Sequence, residues 1–370
     1  MTPWRVAYAV ALCTAVAWMV LVLLTAGTAG TLGFDYRAYD VAVDRLLAGQ
    51  SMYDATAQST GSFGLFFYPP PFALLILPIT LLPTEVAVWL WTLLLIAATV
   101  AGVALLPVST RVRWVVLLLA ALSWPLVYAI KLGQVGPVLL LLFAIGWRWM
   151  DRPWPLGLAA AIGTVIKVQP ALLIGWAAVT GRRRAALIGL AAVAILAIIA
   201  TLIAGPNAWP DEAALLGRVS KPIETPHAFG VGRLAFEAGA SVALATAIHW
   251  LNFALVVAVV ALATWRGSRV ASFLAVVIAS QFLSPVLWDH YALVLLLPVA
   301  WLLDRGRWWA ALIPLLTSTP LLFLGIGLPI AYPVAFWASL IGVTWEGVRD
   351  RRGADVGHDA TLRIQPTAAA

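Results

Sequence analysis

Apolar runs alternate with short polar or basic interruptions along almost the whole chain. A helix needs about 20 apolar residues to cross the hydrocarbon of a bilayer. The first run, residues 6–30 behind Arg5, predicts a spanning helix that is kept rather than removed as a signal peptide. Residues 31–68 then form a polar loop carrying Asp35, Arg37, Asp40, Asp44, Arg45 and Asp54. Apolar spacing from Tyr39 to Leu47 predicts a short helix along the membrane surface, ended by Gly49. The proline-broken run 69–84 is short for a span, so it is read as dipping into the outer leaflet and returning.

The remaining runs predict spans at 85–106, 114–130, 136–149, 185–205, 240–265, 270–284, 291–303, 309–328 and 331–348, with half-length segments at 155–166 and 171–180. A second polar loop covers 206–238. This reading puts Arg111/Arg113, Arg148/Arg152, Arg182–Arg184, Arg266/Arg269, Arg305/Arg307 and Arg349–Arg352 on one side, as the positive-inside rule requires of the cytoplasmic face. The expectation is one all-α polytopic membrane domain over residues 1–348, with about 12 spans. A disordered cytoplasmic tail is expected over 349–370.

Composition agrees and removes other classes. Hydrophobic residues make up 63% of the 370 positions and charged residues 11%, against roughly 25% charged in soluble domains. Long continuous runs exclude a β-barrel, whose strands alternate. The formal charge of +7 lies in interhelical clusters and does not point to nucleic acid. Trp147, Trp149, Trp154, Trp308 and Trp309 stand at run ends, where interfacial aromatics belong. The single cysteine, Cys13, allows no internal disulfide. The four histidines, His227, His249, His290 and His358, have no metal-ligand spacing. No phosphate-binding glycine loop occurs, so neither metal nor nucleotide cofactor is expected.

Ionisable groups within or beside apolar runs are costly, and so mark candidate function. Lys131, Lys167, Asp289 and His290 all fall at the outer ends of runs, on the side of Asp35. Asp35, just after Gly33-Phe34, is the candidate catalytic carboxylate; a helix-terminal cap or a partner for Arg37 is the alternative. Lys167, ahead of Gln169-Pro170, suits a phosphate partner or a snorkelling cation. Asp289 beside His290 can set the imidazole's charge and tautomer, or Trp288–Tyr291 can be an interfacial cap. Gln134 after Gly133, and Tyr68 before Pro69-Pro70-Pro71, mark helix breaks that are either structural or part of a site. In the second loop, Arg218, Lys221, Glu224, His227, Arg233 and Glu237 suit an anionic or sugar partner or a solvated face.

In order, Phe34-Asp35-Tyr36-x-x-Tyr39, Leu47-Ala48-Gly49-x-x-x-Tyr53, Tyr68-Pro69-Pro70-Pro71-Phe72, Gly133-Gln134, Lys167-x-x-Pro170 and Ser284-Pro285-x-x-Trp288-x-His290 resemble glycosyltransferase family 87. These are polyprenol-phosphate-mannose-dependent mannosyltransferases of actinobacteria with the GT-C membrane fold. The likeness covers roughly residues 6–300. It implies Asp35 as catalytic aspartate and His290 as functional histidine. It also implies transfer of mannose from a lipid-linked phosphate to a glycolipid or lipoglycan, as an α-1,2 linkage, outside the plasma membrane. A short N-terminus and the aspartate at 289 depart from the mycobacterial pattern and leave the acceptor open.

A sugar phosphate is already a good leaving group. Inverting displacement therefore needs one base for the attacking hydroxyl and cations for the departing phosphate. On that scheme Asp35 is the base. Lys167, His290, Lys131, Gln134, Asp289, Arg37 and Tyr68 serve the donor, and Tyr39, Asp40 and His227 the acceptor. A transporter or flippase of lipid-linked sugars, and a non-catalytic subunit of an envelope-assembly complex, are the competing classes. A transporter predicts an inverted repeat, which the sequence does not display.

Overall fold

A computed structural model of the chain describes residues 3–57, 64–322 and 327–363, the side chains of residues 3, 322 and 353–363 excepted. Helices account for the regular structure throughout, and no strand occurs among the described residues. Four helices are long and apolar enough to cross a membrane: Pro3–Thr28, Thr84–Leu105, Arg183–Ala204 and Val242–Arg266. A fifth candidate is the bent pair Thr110–Ala121 and Trp124–Leu132. The long helices expose Leu21, Leu93, Leu187, Leu202, Leu251 and many similar side chains. Such continuous apolar surface suits lipid rather than water. By contrast, Arg269–Phe282 is buried on every side from Ala271 to Phe282, the pattern of a helix at the centre of a bundle.

The helix ends sort into two groups. At one end, Arg148 donates to the Leu105 carbonyl at 3.3 Å, and Arg182 reaches both Asp151, at 2.9 Å, and the Met150 carbonyl. The Ser109 amide donates to Asp304 at 2.9 Å, Arg305 pairs with Asp350, Arg307 with Glu346, and Arg351 donates to the Trp265 carbonyl. This is the basic end. At the other, the loops around 31–57, 64–68, 133–135, 167–170, 205–230 and 284–291 converge. The four long helices run between these two groups.

The 69–84 segment holds one helix, Pro70–Thr80, of 11 residues or about 16 Å. Both its flanks return to the loop helix: Tyr39 Oη donates to Tyr68 Oη at 2.8 Å, and Thr84 Oγ1 donates to Asp40 Oδ2 at 2.8 Å. The chain therefore enters and leaves this segment at the loop end.

Several expected elements differ. The loop helix runs Phe34–Leu47, not from Tyr39, because Gly33 turns the chain straight into it. The expected 114–130 span breaks at Leu122-Ser123, with a bend of 61°, and Pro125 opens the second half. The 291–303 span begins as a 3-10 turn, Asp289–Leu295, and continues as Leu296–Asp304. The described part of the 309–328 run is broken into Trp308–Ala311, Leu312–Leu316 and Thr319–Leu322, and its residues 323–326 lie outside the described residues. The last helix, Ala331–Arg363, extends through part of the expected disordered tail; residues 364–370 lie outside the described residues.

Candidate active site

Asp35 stands in the first turn of the Phe34–Leu47 helix. Gly33 sets it there, with φ +72°, a conformation that costs other residues about 1–2 kcal/mol. A Cβ at Gly33 would also lie 2.8 Å from Val88 Cγ1. The Gly33 amide donates to the Lys131 carbonyl at 2.8 Å, fastening the loop to the helix that carries Lys131. That helix ends at Gly133, φ +79°, whose carbonyl accepts from Trp91 Nε1 at 2.8 Å. Gln134 emerges from this turn facing Asp35.

The side chains form a directed chain of hydrogen bonds. Tyr39 Oη donates to Tyr68 Oη at 2.8 Å, Tyr68 Oη to Gln134 Oε1 at 2.9 Å, and Gln134 Nε2 to Asp35 Oδ2 at 2.5 Å. Tyr53 Oη holds the Tyr68 carbonyl at 2.8 Å. Every donor points towards Asp35, so the chain terminates on a carboxylate that accepts. Burial pushes the Asp35 pKa up, while the Gln134 hydrogen bond and the charges of His290 and Lys167 hold it partly down. The outcome is a carboxylate more basic than one in water.

Opposite lie a lysine and a histidine from different helices. Lys167 follows the Pro153–Ile166 helix, with its ammonium 3.7 Å from the centre of the Tyr291 ring. His290 is in the first turn after Trp288. Asp289 Oδ1 accepts from the His290 amide at 2.8 Å, and Asp289 Oδ2 accepts from Trp124 Nε1 at 2.9 Å. Both ring nitrogens of His290 are buried: Nδ1 lies 3.4 Å from Asp289 Oδ1, outside hydrogen-bond geometry, and Nε2 has no hydrogen-bond partner within the protein. Native structures leave few buried polar atoms unpaired, and those at a cavity wall await something else.

Two adjoining cavities meet at this point. The lysine cavity, about 520 Å³, is lined by Tyr68, Lys167, Gln169, Glu212, Ser284 and Tyr291 among others. The aspartate cavity, about 580 Å³, is lined by Asp35, Trp124, Tyr128, Lys131, His227 and Asp289 among others. Phe67, Gln134, Trp288 and His290 line both and form the partition. His227 is the one non-glycine with positive φ among the described residues, at +56°. Backbone held in that region is often found at functional sites.

Arg37, Tyr39 and Asp40 line neither cavity. Arg37 is turned outward to Glu85 at 2.8 Å, which removes it from the donor set expected of it. Tyr39 is wholly buried, packed at 5.0 Å against the rings of Tyr68 and Phe72, and Asp40 is held by Thr84. Neither is positioned to meet an acceptor. In the second loop, Arg218 clamps the first loop through the carbonyls of Ala57 and Asp54, while Arg233 pairs with Glu237 and Lys221 with Glu224.

The structure adds residues that sequence reasoning passed over. Glu212, on the Ala208–Val219 helix, is buried against the lysine cavity, and burial pushes its carboxyl up to about 7. Ser51 Oγ donates to the neighbouring Asp211 at 2.6 Å, pinning that helix over the cavity. Gln169 Nε2 donates to Ser284 Oγ at 3.3 Å, and its buried Oε1 has no hydrogen-bond partner within the protein. Trp124 had a signal in its place before Pro125, a helix start; Glu212 had none, since a carboxylate in a polar loop reads as solvated. No cluster of three or more metal-ligating side chains occurs among the described residues.

A family model described as glycosyltransferase family 87 matches residues 66–288. That stretch holds Tyr68, Lys131, Gln134, Lys167, Glu212 and His227 and stops short of Asp35 and His290. One relative is the polyprenol-phosphate-mannose-dependent alpha-(1-2)-phosphatidylinositol mannoside mannosyltransferase of Mycobacterium tuberculosis. It is 27% identical over 294 residues, covering 70% of this chain and 67% of the relative. A polyprenol-phosphate-mannose-dependent alpha-(1-2)-phosphatidylinositol pentamannoside mannosyltransferase of Mycolicibacterium smegmatis is 32% identical over 296 residues, covering 73% and 69%. No solved structure matches the chain.

Proposed function

The chain belongs to glycosyltransferase family 87, and from that premise we propose that it transfers mannose from polyprenyl-phosphate-mannose to a glycolipid or lipoglycan of the phosphatidylinositol mannoside class. The product is an α-1,2 linkage, formed with inversion outside the plasma membrane. The sidedness is supported by the gathering of arginines at one helix end, which the positive-inside rule assigns to the cytoplasm. The alternating run of the chain between the two ends supports about 12 crossings, several of them broken or short.

The observation that carries the chemistry is a carboxylate at the end of a donor chain, with Lys167 and the buried ring of His290 across a shared wall. The donor's phosphate lies in the lysine cavity, against Lys167 and His290. The acceptor enters the aspartate cavity, near Lys131 and His227. The acceptor hydroxyl oxygen attacks the anomeric carbon from the face opposite the phosphate, and Asp35 takes its proton. The bond from the anomeric carbon to the phosphate oxygen breaks, and its electron pair leaves with polyprenyl phosphate. Lys167 and His290 meet the charge that gathers there. Glu212, neutral below about pH 7, donates to a sugar hydroxyl in the same cavity.

The test is reconstitution. Purified protein is incubated with labelled polyprenyl-phosphate-mannose and extracted phosphatidylinositol mannosides, and the product linkage is determined. Label in an α-1,2-linked glycolipid is the expected result. Movement of the lipid-linked sugar across a vesicle with no transfer would replace this reading with the flippase one.

A further inference from the structure

A groove of about 850 Å³ lies at the basic end, away from the catalytic cavities, between the helices Val242–Arg266 and Ala331–Arg363. One wall is Val259, Leu262, Trp265 and Arg266; the other includes Ile341, Trp345, Val348 and Arg352. Along each wall the residues run from aliphatic to tryptophan and arginine. From Ile341 to Arg352 this covers about 16 Å of helix axis. Trp265 is 72% exposed and Trp345 66%, as befits side chains at a membrane–water boundary.

The charge around the last helix is segregated. Ile341, Thr344, Trp345, Val348 and Arg352 recur at helical spacing on one face. Glu346 and Asp350 lie roughly half a turn away and are taken up by Arg305, Arg307 and Arg349. The groove face thus carries Arg266, Arg351 and Arg352 with no acidic partner among the described residues. Arg351 donates one N–H to the Trp265 carbonyl at 2.7 Å, which holds its guanidinium at the mouth.

We infer that this groove is a binding site for an anionic glycerophospholipid of the inner leaflet. An acyl chain lies along the aliphatic walls, and the phosphate-bearing headgroup sits among the three arginines. A soluble anion would use the arginines and leave the walls empty; a zwitterionic lipid would fill the walls and leave the charge unmatched. Basic pockets between spanning helices on the cytoplasmic side recognise anionic headgroups by this combination.

The experiment is native mass spectrometry of the full-length protein, released from detergent holding equimolar phosphatidylglycerol and phosphatidylcholine of the same acyl chains. Retention of phosphatidylglycerol by roughly tenfold or more over phosphatidylcholine is expected, because only the anionic headgroup matches the three arginines. Arg266→Gln/Arg351→Gln/Arg352→Gln should abolish the preference. Leu262→Trp fills the groove without touching charge, on a side chain already 47% exposed; it should abolish retention too, and it keeps the test alive if the triple variant fails to fold. Equal retention of the two lipids would overturn the inference. So would an equal loss from Arg183→Gln/Arg184→Gln, which sit at the same end outside the groove and report only general attraction.

Discussion

Gln134→Met isolates the hydrogen bond that ties the catalytic carboxylate to the tyrosine chain. Methionine conserves length and volume but neither donates to Asp35 nor accepts well from Tyr68. In the wild type Gln134 Nε2 lies 2.5 Å from Asp35 Oδ2, and Gln134 Oε1 takes the Tyr68 hydrogen at 2.9 Å. A hydrogen bond to a charged group contributes about 1.5–3 kcal/mol to the ionised form. At 1.36 kcal/mol per pKa unit, its loss raises the Asp35 pKa by about 1–2 units beyond the rise burial already causes. The sign for activity follows from the reaction. Only ionised Asp35 takes the acceptor's proton, so transfer climbs as pH rises through its pKa. The acid limb of kcat/KM should therefore move up by about 1–2 pH units in Gln134→Met, and activity should recover above the shifted limb. The Tyr68 hydroxyl keeps the bond from Tyr39 but loses its acceptor, which costs about 1–3 kcal/mol of stability, read as a lower unfolding temperature in detergent. The assay is initial-rate transfer from labelled donor at limiting concentration, across pH. A uniform fall at every pH with the limb unmoved would refute the claim that Gln134 acts through Asp35 ionisation.

Lys167→Ala should slow transfer at limiting donor by about 10²- to 10³-fold, as when one donor to a developing oxyanion is lost; wild-type kinetics would remove Lys167 from the phosphate site. Glu212, raised to about 7, ionises as pH rises through that value and sets a negative charge against the donor phosphate. Donor binding should weaken on the alkaline side, where Lys167, which burial lowers to about 7, also loses its charge; Glu212→Gln, which cannot ionise, should show a smaller loss than the wild type in the same pH series. Gly33→Ala should destabilise the fold by about 1–2 kcal/mol from positive φ alone, before the Val88 contact; thermal unfolding in detergent reads it, and an unchanged transition would contradict the turn's role.

Much of this was legible along the chain, for identifiable reasons. Apolar runs and basic clusters give the helices and their two ends, because membrane insertion selects on both. Asp35, Gln134, Lys167 and His290 could be put on one side from that alternation alone. Contacts were another matter. Within a membrane bundle, lipid and core are equally apolar, so the pattern does not say which face of a helix meets which neighbour. Arg37, Tyr39 and Asp40 are neighbours of Asp35 in sequence, yet the helix that begins at Phe34 turns them to other surfaces. Glu212 approaches from a loop 177 positions later, held by a Ser51–Asp211 bond that no local signal announces. The breaks at Ser123 and across 308–322 were hidden by continuous hydropathy, although Pro125, Pro314 and Pro320 mark them in retrospect.

The most direct test of the central claim is turnover by Asp35→Asn. Asparagine keeps the shape and can still accept from Gln134, but it cannot take a proton. Loss of a general base typically costs roughly 10²- to 10⁴-fold. Measured in the same vesicles, the variant should fold, retain labelled polyprenyl-phosphate-mannose as the wild type does, and transfer it at that reduced rate at every pH. Near-normal transfer by a folded, donor-binding Asp35→Asn protein would contradict Asp35 as the base.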